Sequence, residues 1–67
     1  MILLNGERFD VPPGETVVVV LERIGVSPDA RGIAVAVDGE VIPRACWTVF
    51  ALAADARVEV LTAMQGG

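Results

Sequence analysis

Thr16-Val17-Val18-Val19-Val20-Leu21-Glu22-Arg23-Ile24-Gly25 can be read as a strand or as a helix, and the architecture of the chain turns on which. Four consecutive valines favour a strand by propensity. Spacing favours a helix: Val17, Val20, Leu21 and Ile24 fall at i, i+3, i+4 and i+7, along one helical face. Thr16 is a usable N-cap and Gly25 a usable C′ residue. The flanks break the tie. The segment joins two hairpins, and a long crossover within one sheet is usually helical. It is therefore assigned to a helix, with Val18 and Val19 near its side or outer face.

The first hairpin precedes it. Met1 to Leu4 is an apolar run, Asn5-Gly6 tolerates the positive φ of a type I′ turn, and Glu7-Arg8-Phe9-Asp10-Val11 then alternates. Phe9 and Val11 share one face, Arg8 and Asp10 the other. A first strand that is apolar on both faces is expected inside a sheet. The second hairpin runs Ile33-Ala34-Val35-Ala36-Val37, Asp38-Gly39, Glu40-Val41-Ile42, and Pro43 ends it because it has no N–H to give. Pro12-Pro13-Gly14-Glu15-Thr16 is a turn cluster.

Arg44 to Ala54 has no clear period; a short helix or 3₁₀ turn is expected around Phe50 to Ala53. Asp55-Ala56 makes a turn, and Arg57-Val58-Glu59-Val60-Leu61 is a last strand with Val58 and Val60 inward. The predicted fold is α+β: one mixed sheet of about five strands with one main helix on one face. The last strand belongs beside the first, where both apolar edges are buried. Residues 1–62 form the domain, and 63–67 are expected to be a flexible tail, because Ala63-Met64-Gln65-Gly66-Gly67 has no anchoring signal.

Composition removes whole classes of function. A chain of 67 residues buries only about 60% of its unfolded surface, which leaves little room for a catalytic cleft beside a core. The 54% apolar content excludes disorder. The longest nearly apolar stretch, Ala45 to Ala54, is about half of the ~20 residues of a membrane span, and Met1 to Glu7 lacks the basic flank of a signal peptide. A cytoplasmic location, away from membranes, is expected. Five arginines face nine acidic residues for a net charge of −4, so a nucleic-acid partner is not expected. With no Lys and no His, lysine Schiff-base chemistry and histidine acid–base or metal chemistry are absent. A lone Cys46 makes neither an internal disulfide nor a multi-thiolate metal site. No metal and no permanently bound cofactor is expected.

Chemistry concentrates at the C-terminus. At roughly 7% glycine usage, two terminal glycines coincide by chance in about 0.5% of chains. The functional alternative has a physical basis. Glycine permits close backbone approach, and a five-residue tail reaches about 17 Å at ~3.3–3.6 Å per residue. Such a tail carries the Gly67 carboxylate into another protein's narrow site. Activation of that carboxylate by ATP would make an acyl-adenylate, from which a sulfur nucleophile would displace AMP.

Two blocks carry a family resemblance: Val35-Ala36-Val37-Asp38-Gly39-Glu40-Val41-Ile42-Pro43-Arg44 followed by Trp47, and Val58-Glu59-Val60-Leu61-Thr62-Ala63-Met64-Gln65-Gly66-Gly67. Leu4-Asn5-Gly6-Glu7 and Pro13-Gly14-Glu15-Thr16 add to them. In order and spacing over essentially the whole length, the chain resembles the ThiS-type sulfur carriers of thiamin thiazole biosynthesis, ubiquitin-like β-grasp proteins. The resemblance implies that Gly67 is adenylated by a ubiquitin-activating-like adenylyltransferase that uses ATP. A sulfur donor system fed by cysteine then converts it to a thiocarboxylate, and thiazole synthase accepts the sulfur. Gly66, Gln65 and Met64 are the partner-binding tail, and the chain is a cosubstrate rather than a catalyst. Val17 to Val20 and Asp55-Ala56 depart from the family pattern and bear on helix length and turn geometry.

Other residues have plainer roles. Cys46 reads as a small packing residue, with redox or trans-thiolation as the sharper alternative. Trp47 reads as a packing anchor before a contact hot spot. Arg44 is expected in solvent or on local carbonyls, with an acidic partner surface as the alternative. The apolar excess is expected on the sheet face opposite the helix, where with the tail it would form a docking surface. Competing functions are a sulfur carrier for molybdopterin or tRNA thiolation, a ubiquitin-like protein modifier, and an interaction module with an inert tail.

Overall fold

The computed structural model describes residues 1–62. The strands are β1 (Ile2–Leu4), β2 (Glu7–Phe9), β3 (Ile33–Val37), β4 (Glu40–Val41) and β5 (Arg57–Thr62), with helix α1 (Val17–Arg23) between β2 and β3. They form one sheet in the order β2-β1-β5-β3-β4. β5 lies parallel to β1 and antiparallel to β3, so the last strand is central and the first has a neighbour on each side. This is the β-grasp arrangement of a mixed five-stranded sheet with one helix.

Both hairpins turn as their sequences dictate. Asn5 and Gly6 have φ of 50° and 84°, and Asp38 and Gly39 have 51° and 85°. Positive φ at both central residues is the type I′ geometry, whose twist matches that of the flanking strands.

The valine run is helical, and tertiary contacts explain why. Val17, Val20 and Leu21 are at most 1% exposed and enter the core with Ile2, Val35 and Val58 from the sheet. Thr16 occupies the N-cap position, but its side chain makes no capping bond. The first helical N–H groups, which have no intrahelical partner, go to the neighbouring segment instead: Val17 N–H donates to the Phe50 carbonyl and Val18 N–H to that of Trp47, each at 3.1 Å. At the other end Gly25, φ 80°, donates to Glu22 O, and Val26 N–H to Leu21 O. That pair of bonds is a Schellman motif, for which a left-handed C′ glycine is the usual residue.

The segment after β4 corrects one expectation. The 3₁₀ turn lies at Arg44–Cys46, not around Phe50 to Ala53. Pro43, with φ −59°, initiates it. Phe50 to Leu52 is extended: Ala51 bridges Thr16, Leu52 N–H donates to Glu15 O, and Gly14 N–H to Leu52 O. Phe50 N–H closes the preceding turn on Cys46 O, and from the Phe50 carbonyl to Leu52 the backbone is engaged with Gly14, Glu15 and Val17 and is not free to form a further helical turn. Two strands are also shorter than read. β2 ends at Phe9, although Val11 is buried and its carbonyl accepts from the Met1 ammonium. β4 ends at Val41, although Ile42 N–H still donates to Val35 O.

Candidate functional site

The residues expected to carry the chemistry, Met64, Gln65, Gly66 and Gly67, lie outside the described residues, as does the expected flexibility of 63–67. The structure does describe the strand that leads to them. Ladder parity follows from the Asp38 N–H bond to Arg57 O and the β3–β5 register. Arg57, Glu59 and Leu61 turn their backbone groups to β3, and Val58, Val60 and Thr62 turn theirs to β1. β1 is shorter than its neighbour. Leu4 is its last residue in register, opposite Val58, and Asn5 N–H donates to Val58 O at 2.8 Å.

Val60 is served by a side chain. The Asn5 carboxamide oxygen accepts from Val60 N–H at 2.8 Å, and its nitrogen donates to Val60 O at 3.3 Å. On the other flank, Asp38 Oδ1 accepts from Arg57 N–H at 3.0 Å. Asn5 and Asp38 were legible as turn residues, but their side-chain bonds to β5 were not: each joins residues far apart in sequence, and only the topology brings them together.

The sheet face away from α1 is the second element of the site. Cross-strand neighbours place Ala36, Glu59 and Val41 together, Ala34 beside Leu61, and Arg8, Leu3 and Arg57 in a row. Val41 is 71% and Leu61 62% exposed. The face is divided: apolar around β3, β4 and the end of β5, charged across the start of β5. An open groove crosses the charged half between the two turns, lined by Gly6, Asp38, Gly39, Arg57 and Glu59. The expected apolar outlet is present, and it adjoins the last described residues of β5.

Cys46, Trp47 and Arg44 do structural work. Cys46 is half-buried against the core as a free thiol. Trp47 is 2% exposed, and its indole N–H donates to Ile42 O at 2.9 Å. Arg44 donates to the carbonyls of Pro28 and Ala30 and lies over the Trp47 ring. Among the described residues no group of His, Cys, Asp and Glu is placed to hold a metal ion, and no helix is long and apolar enough to cross a membrane.

No curated protein matches the chain. Solved structures do. A crystal structure of the thiamine biosynthesis protein ThiS from Geobacter metallireducens superposes with a TM-score of 0.76 at 26% identity, covering 98% of this chain and 97% of that one. A solution NMR structure of a thiamine biosynthesis protein from the same organism gives the same score and identity, covering 98% of this chain and 86% of the other. The ThiS family model matches residues 2–67, a span that takes in the whole sheet, α1 and the terminal Gly66-Gly67, and the chain therefore belongs to the ThiS family.

Proposed function

We propose that the chain is a sulfur carrier of thiamin biosynthesis whose reactive atom is the carboxyl carbon of Gly67. The observation that supports this best is a family match that runs to residue 67 on a fold whose central strand leads to it. An adenylyltransferase partner attacks ATP with the Gly67 carboxylate, releasing pyrophosphate and leaving an acyl-adenylate. A sulfide-level nucleophile from a cysteine-fed donor system then adds to the acyl carbon. The C–O bond to AMP breaks, AMP leaves, and a thiocarboxylate remains. Thiazole synthase takes that sulfur. The chain itself is a cosubstrate, with ATP bound by the partner, and it works in the cytoplasm.

The fold supplies presentation. Met64, Gln65 and Gly66 have small or unbranched side chains that suit a narrow site. The apolar half of the open face, with Val41 and Leu61 exposed, supplies docking contacts beside the end of β5. The experiment is ATP–pyrophosphate exchange with a ubiquitin-activating-like adenylyltransferase that acts on ThiS-family carriers, using the full chain and a chain lacking Gly67. Exchange that depends on Gly67 is the expected result. Equal exchange with both chains would overturn the assignment.

A further inference from the structure

The carboxamide of Asn5 stands in for a strand residue that β1 does not have. β1 ends at Leu4, and the turn at Asn5-Gly6 carries the backbone away from β5. Val60 would then face that side with both an N–H and a C=O unpaired. Asn5 presents an acceptor to one and a donor to the other, at 2.8 and 3.3 Å, across 55 residues of sequence. The amide group reproduces the peptide pairing of a parallel ladder for one further residue. The backbone supports the arrangement: Asn5 sits at φ 50°, a conformation Asn tolerates better than most residues, and its own N–H is fixed on Val58 O at 2.8 Å.

From this geometry we infer that Asn5 is the positioning residue of the exit strand, fixing the direction in which β5 leaves the sheet and hence the line along which the C-terminal carboxylate is presented. Among the described residues Val60 is the last β5 residue bonded on the β1 side: Leu61 turns its backbone to β3, opposite Ala34, and no bond from the β1 side past Asn5 reaches Thr62. The bond to Val60 sits two residues before the end of β5, so a loss there is transmitted to the start of the tail. Asn5 does not touch the reacting atoms. The consequence for transfer rests on the carrier function above; the clamp on Val60 does not.

The test uses the full chain with three substitutions. Asn5→Gly keeps the turn, because glycine accepts positive φ, and removes the carboxamide. Asn5→Asp keeps the acceptor for Val60 N–H and loses the donor. Gly25→Ala lowers stability at the far end of α1 and leaves β5 untouched. Amide hydrogen exchange at Val60 should quicken roughly five- to tenfold in Asn5→Gly, the equivalent of one lost hydrogen bond. Leu61, whose N–H faces β3, should be unchanged, and Asn5→Asp should fall between. ¹⁵N relaxation should show lower order at Leu61 and Thr62. In the adenylation assay, under conditions where each variant is folded, Asn5→Gly should lower kcat roughly tenfold with KM unchanged, in line with the cost of misaligned reactants, and Gly25→Ala should change neither.

Unchanged Val60 exchange, or unchanged order at Leu61 and Thr62, would overturn the clamp. Unchanged kcat in Asn5→Gly, or an equal loss in Gly25→Ala, would overturn positioning. If the unmodified chain supports no adenylation, the carrier function fails, and the Val60 and relaxation results alone decide whether Asn5 fixes the exit strand.

Discussion

The Arg44 guanidinium lies 4.6 Å from the centroid of the Trp47 ring while donating to the Pro28 and Ala30 carbonyls. One side chain thereby ties the loop between α1 and β3 to the 3₁₀ turn at Arg44–Cys46, whose Trp47 fills the core. Planar stacking and a forked donor are arginine properties that lysine lacks. Arg44→Ala should lower unfolding free energy by about 1 kcal/mol, the scale of an exposed cation–π contact with its hydrogen bonds. Arg44→Lys should recover less than half of it. Urea denaturation of the three proteins measures both; full recovery by lysine would show that charge alone matters.

Trp47 also has a polar obligation. Its indole N–H is the partner of the buried Ile42 carbonyl. Trp47→Phe removes the donor and leaves that acceptor unpaired, at a cost of about 1–3 kcal/mol beyond the lost volume. Thermal unfolding should show a clear drop in Tm, and a variant as stable as the parent would mean that the indole bond contributes nothing.

Gly25 is required by conformation, not by space. Its φ is 80°, and nothing lies within 4 Å of where a Cβ would stand. Gly25→Ala should cost about 1–2 kcal/mol, the penalty of left-handed backbone for an L-residue, with no change in the core. An unfolding free energy equal to the parent's would show that the Schellman turn relaxes at no cost.

The open face separates docking from folding. Leu61 is 62% exposed and Val41 71%, so Leu61→Asp and Val41→Asp should leave Tm within about 4 °C of the parent, the shift that ±0.5 kcal/mol at a surface site gives in a domain of this size. If the proposed carrier function holds, both should weaken binding to the adenylyltransferase that acts on ThiS-family carriers, read by titration calorimetry. Unchanged affinity in both would place the docking surface elsewhere.

Much of this fold was legible because local chemistry and tertiary need agree. Asn5-Gly6 and Asp38-Gly39 state their turns outright, and the i, i+3, i+4, i+7 spacing of Val17, Val20, Leu21 and Ile24 outweighs valine's strand propensity because that face is buried. What stayed hidden depends on partners distant in sequence. The extended run Phe50 to Leu52 exists because its backbone pairs with Glu15, Gly14 and Val17. The Phe50 carbonyl on Val17 N–H, with that of Trp47 on Val18 N–H, caps α1 in place of the Thr16 hydroxyl. Asn5 reads as a turn residue until β5 is brought beside it. At the candidate site, Gly66-Gly67 stands out from sequence by its chemistry alone, whereas the divided open face becomes visible only once strand register is known.

The central claim is that Gly67 carries sulfur. Intact-protein mass spectrometry, after incubation of the chain with a ubiquitin-activating-like adenylyltransferase that acts on ThiS-family carriers, a cysteine-fed sulfur donor and ATP, tests it directly. The expected result is a sulfur-for-oxygen mass gain that fragmentation places on Gly67. An unchanged Gly67 with an active adenylyltransferase, or an amide linkage from Gly67 to another protein, would contradict it.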